Sequence, residues 1–91
     1  MGHEHNTYRQ YFKTKKEADD VLEKLHELRN HRENGTLHLA DLLIYSGKEP
    51  SDWHKDYEIV NLDHAYVEKI TSYVGKGKRT QYTVRVYTHL E

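Results

Sequence analysis

Between Thr14 and Gly35 the apolar residues fall at Ala18, Val21, Leu22, Leu25 and Leu28, and polar residues fill the positions between them. That spacing follows one narrow stripe of a 3.6-residue repeat. A helix with one apolar stripe needs a surface to lay it on, so the rest of the chain must supply an apolar face. The helix start is written in "TKKE": the Thr14 hydroxyl can accept from the amide three residues on, and the Glu17 carboxylate can reach back to the amide of Thr14. Asp19, Asp20, Glu23, Lys24, Glu27 and Asn30 form the wet face. Lys16–Asp20, Asp20–Lys24 and Arg29–Glu33 are spaced to support it. Asn34-Gly35 ends the helix, with Gly35 in the left-handed turn.

Strands supply the complementary face. "TYRQYF", Thr7 to Phe12, fits a short strand by its aromatic content. "QYTVRVYT", Gln81 to Thr88, is rich in β-branched and aromatic residues. The middle of the chain reads two ways. "TLHLADLLIYSG" suits a short strand at 36–39 and a helical segment at 40–46 ended by Gly47, with Pro50 and "SDW" marking a turn. In "NLDHAYVEKITSYV", Tyr66, Val67, Ile70, Tyr73 and Val74 would line a helix capped by Asp63 and stopped by Gly75, which makes the order βαββαβ and the fold ferredoxin-like. Read as a strand, the segment puts Val67, Lys69, Thr71 and Tyr73 on one face and Tyr66, Glu68, Ile70, Ser72 and Val74 on the other. Thr71 to Val74 are poor helix formers, which favours the strand and a C-terminal hairpin with 81–88. The fold class is α+β: a short N-terminal strand, an amphipathic helix, a short strand and short helix, and a C-terminal antiparallel β-hairpin.

Ninety-one residues make one domain with a small core, since 35% of them are apolar and eight are Tyr. Residues 1–6 read as a flexible lead and Leu90-Glu91 as a cloning remnant. The absence of Cys excludes disulfides and thiolate chemistry. No signal peptide is visible, and the longest apolar run, Leu42 to Tyr45, is too short to span a bilayer. These features point to the cytoplasm. Charge is uneven: residues 1–63 carry nine Lys or Arg against thirteen Asp or Glu, and residues 64–91 five against two. An acidic body and a basic end favour an oriented contact with an anionic surface or with a second copy. A small core that gains burial by pairing also points to a homodimer.

The pieces "KKEADDVLEKLHEL", "GTLHLADLLIYSG", "NLDHAYVEKI" and the closing hairpin resemble a group of small proteins from phages and prophages of Gram-positive bacteria. The resemblance covers most of residues 14–87. It implies a helix, then a strand leading into a short Gly-ended helix, then an antiparallel hairpin, together with a phage context. It implies no site residues. The chain departs from the group in its longer hairpin turn and in lacking a closing Leu-Pro pair. It also has Ile59 and Val60, with Trp53 lying earlier, where the group has Trp before the "NL".

Catalytic motifs are missing. Ser46, Ser51 and Ser72 lack a nucleophile-elbow context, and no pair of carboxylates sits in contrasting surroundings. The eight His residues show no metal-ligand spacing, apart from His3-Glu4-His5 at the terminus and the loose set His54, Asp56 and His64. No catalytic residue, metal or cofactor is expected, and the chain reads as a binding protein. Two surfaces compete. Ile44, Tyr45 and Trp53 are candidate protein contacts, because Leu42 to Tyr45 wraps further round a helix than one buried face needs. "GKGKR" lacks the phosphate-loop pattern, but Lys76, Lys78 and Arg79, with Tyr82 and Arg85 along the strand, could meet phosphates and stack bases.

Overall fold

The structure, a computed structural model, describes residues 6–50 and 58–90. The elements follow as β1 (Asn6–Phe12), α1 (Lys15–His31), β2 (Leu37–His38), α2 (Leu39–Tyr45), β3 (Glu58–Val74) and β4 (Gly77–Leu90). The strands form one antiparallel sheet in the order β1-β4-β3-β2. Trp53, His54 and Asp56, and the terminal His3-Glu4-His5, lie outside the described residues.

α1 starts as its sequence dictates. Thr14 is extended, and its Oγ1 accepts from the Glu17 amide at 3.2 Å. Ala18, Val21 and Leu25 of the apolar stripe are buried, and Leu22 and Leu28 pack at its margin. Lys15–Asp19 and Lys16–Asp20 bridge along the wet face at 2.7 and 3.0 Å. The helix ends at His31, before Asn34-Gly35, and Gly35 then takes φ +64°. Asn34 Oδ1 accepts from the Thr36 amide at 3.1 Å and tightens that turn.

The middle segment differs from the sequence expectation by a residue at each boundary. The strand is cut to Leu37–His38, and α2 starts at Leu39. Leu39, Ala40, Leu42 and Leu43 face the core, while Ile44 is 56% exposed. α2 ends in a Schellman motif: the Lys48 amide reaches the Leu43 carbonyl at 2.8 Å, the Gly47 amide reaches Ile44 at 3.0 Å, and Gly47 has φ +79°.

Residues 64–74 are strand, which removes the second long helix and with it the ferredoxin-like alternative. β3 also begins earlier than expected, at Glu58, and β1 takes in Asn6, opposite Thr88. Asn61 lies opposite Tyr87 and Tyr66 opposite Arg85, so residues 62–65 of β3 bulge past Val86 alone. Asn61 Oδ1 accepts from the Asp63 amide at 2.8 Å and sets the kink. The bulge shifts the alternation, so Val60 before it, Leu62 and Ala65 at its two ends and Val67 after it all meet the core. α1 and α2 cover this face of β3 and β4, whose own contribution is Val84 and Val86.

One polar contact ties the two helices. Arg32, just past α1, donates from two nitrogens to the two carboxylate oxygens of Asp41, at 2.8 and 2.9 Å, and also to the Thr36 carbonyl at 2.9 Å. The Asp41 carboxylate accepts from the His38 amide at 2.9 Å, capping the first turn of α2. The Asp41 hydrogen bond raises the Arg32 pKa above its ordinary value. Asp41→Ala strips a paired guanidinium and a helix cap together and is expected to cost about 1–3 kcal/mol in urea unfolding. Lys16→Ala, which breaks an exposed pair on the wet face, should leave the midpoint nearly unchanged.

Candidate interaction surfaces

The sheet has a second face, and among the described residues no helix covers it. The ladder partners place Arg9 and Tyr11 of β1, Thr83, Arg85 and Tyr87 of β4, and Tyr66 and Glu68 of β3 on this side. Arg85 lies between two rings, 5.4 Å from the Tyr66 centroid and 5.5 Å from the Tyr87 centroid. It donates to the Tyr66 hydroxyl at 2.6 Å, the main cause of its raised pKa. His64, turned outward by the bulge, meets Tyr87 edge-on with centroids 6.0 Å apart. Arg9 comes within 4.0 Å of Glu68.

Beyond Tyr82 the hairpin is alone among the described residues. β1 ends with Phe12 opposite Tyr82, and α1 and α2 stay with the wider part of the sheet. The pairs Ile70↔Gln81 to Val74↔Gly77 therefore form a two-stranded arm that projects roughly 15 Å, at about 3.3 Å per residue. Every residue from 71 to 80 is exposed, with Tyr73 at 76% and Val74 at 65%. Its outer edges carry no ladder partner among the described residues. The turn is two residues, Gly75-Lys76. Gly75 has φ +61° and among the described residues no non-glycine φ is positive, the type II′ pattern that suits strand twist.

The five residues singled out for nucleic acid do not share one surface. Lys76 is in the turn. Lys78, opposite Tyr73, and Arg79, opposite Ser72, are adjacent strand residues and point to opposite faces. Tyr82 packs on the helix side against the core, while Arg85 is on the open face among tyrosines. Of the protein-contact candidates, Ile44 is exposed, whereas Tyr45 packs on the core with Lys24 Nζ 6.0 Å from its ring centroid. Tyr66, Tyr73 and Val74 escaped notice as site residues. Their faces were legible from alternation, but where the helices and β1 stop was not.

On the helix side, near the base of the arm, lies a groove of about 360 Å³. Phe12, Val21 and Tyr45 line it with Glu17, Asp20 and Lys24. Among the described residues no three His, Asp or Glu side chains come together as metal ligands. Among the same residues no helix is long and apolar enough to cross a membrane. Compared with protein-family models, curated proteins and solved structures, the chain finds no match.

Two substitutions probe these features. Gly75→Ala forces a side chain into the left-handed region at a cost of about 1–2 kcal/mol. It should speed amide exchange in residues 70–81 and leave the Val84 and Val86 amides protected. Thr83 is fully buried between Tyr11 and Glu68 in the ladder, and its hydroxyl has no hydrogen-bond partner among the described residues. Thr83→Val keeps the shape and removes the buried hydroxyl, so the thermal midpoint is expected to hold or rise by the equivalent of about 1 kcal/mol.

Proposed function

We propose that this is a non-enzymatic accessory protein that works in the cytoplasm through protein–protein contact, in the phage context that its resemblance to small phage and prophage proteins implies. The projecting arm carries this reading. A two-stranded hairpin alone in water is marginal, and stable ones pack against a further strand or helix. This arm exposes Tyr73 and Val74 and two unpaired edges, features that favour addition of a partner's strand or face.

A second reading rests on charge. Lys76, Lys78 and Arg79 lie on the arm with Lys69 at its base, and no acid occurs from Lys69 to Leu90. Such an arm could follow a phosphate backbone. The two readings separate in one experiment. With a photoreactive phenylalanine analogue in place of Tyr73, irradiation in cells is expected to join the arm to polypeptide. Nucleic-acid adducts in place of polypeptide, together with oligonucleotide binding that weakens steeply with salt, would transfer the function to the second reading.

A further inference from the structure

Resting on the protein-contact reading, we infer that the arm's partner is a second copy of this chain, and that two arms cross so that each delivers Tyr73 and Lys78 to the other's groove beside α1. The faces agree. Tyr73 and Lys78 are ladder partners, and two-residue alternation puts them on the same side as Thr71, Thr80 and Tyr82. That is the helix side, where the groove opens at the base of the arm beside Phe12, the partner of Tyr82. A two-fold axis near the Thr71↔Thr80 pair sets two arms antiparallel, helix sides together. Each Tyr73 then lies over the base of the other arm, as an isologous interface requires. Thr71 and Thr80 are exposed and small, which permits close approach at the axis.

The chemistry agrees too. The groove offers the apolar surfaces of Phe12, Val21 and Tyr45 to an aromatic ring. Glu17 lines it with a carboxylate to meet Lys78, Asp20 beside it is bridged to Lys16, and Lys24 is turned over the Tyr45 ring. The arm is basic in a chain of net charge −1, so the remainder is acidic and attracts a copy of the arm. Pairing the two arms edge to edge along β4 instead would set Arg79 against Arg79 across the axis, and like charges directly opposite are unfavourable. The crossed arrangement also explains how a marginal ribbon is held, because each arm becomes the cover of the other.

Sedimentation equilibrium of the full chain should give twice the 10.9 kDa chain mass at micromolar concentration. Tyr73→Ser is expected to weaken the dimer at least tenfold without changing the far-ultraviolet circular dichroism of the monomer. Glu17→Lys and Lys78→Glu should each weaken it, and their combination should restore it. A monomer at 100-fold higher concentration, or a dimer indifferent to Tyr73→Ser and to the charge exchange, overturns the inference. A monomer whose photoreactive residue 73 still joins a different polypeptide refutes the self-docking and leaves the protein-contact reading standing. A monomer that crosslinks to nucleic acid alone refutes both.

Discussion

The bulge at residues 62–65 is the constraint on which the architecture turns. A straight β3 would place Val60 and Leu62 on one face and Val67 on the other, and the small core could not be gathered on one side. By passing four residues against Val86, the strand brings all three to the helices. The same step turns Asp63 and His64 into solvent and sets Tyr66 opposite Arg85 on the uncovered face. Core and open face are thus two results of one irregularity, anchored by the Asn61 side chain.

That irregularity also marks the limit of what the sequence discloses. α1 was legible because its signal is local: a capping threonine, one stripe and a turn glycine. The strand character of 66–74 was legible from Thr71 to Val74, and the assignment of Tyr66 and Val67 to opposite faces holds. The extension of β3 back to Glu58 was not legible, because Val60 and Val67 are out of phase and only a tertiary kink reconciles them. The Arg32–Asp41 contact was hidden for a related reason: it joins side chains nine positions apart across a turn, outside helical spacing. The tip glycines announced a turn, but its two-residue length depends on the register of the ladder.

The candidate surfaces were read least well. Charge along the chain marked the arm as basic, and structure divides those cations between two faces. Arg85 is drawn into a tyrosine stack and held by a hydroxyl. The exposed apolar residues of the arm are ordinary strand residues by composition, and they become interaction candidates only because β1 stops at Phe12. Exposure is a property of neighbours that end, and a sequence does not announce where a neighbour ends.

The strand order has a consequence for biosynthesis. Both long ladders, β1–β4 and β3–β4, run through β4, although β4 is the last described element along the chain. During translation α1 can coil early, but its apolar stripe has no sheet to lie on. β1 must wait as an unpaired strand until residues 82–88 have left the ribosome. The Gly75-Lys76 turn then lets β4 fold back on β3 locally, and β1 joins afterwards across most of the chain length. Assembly of the sheet therefore waits for β4: a chain stalled before Gln81 has a helix, the β2–β3 pairs and the tip of the hairpin, but none of the pairings that join β1 to β3.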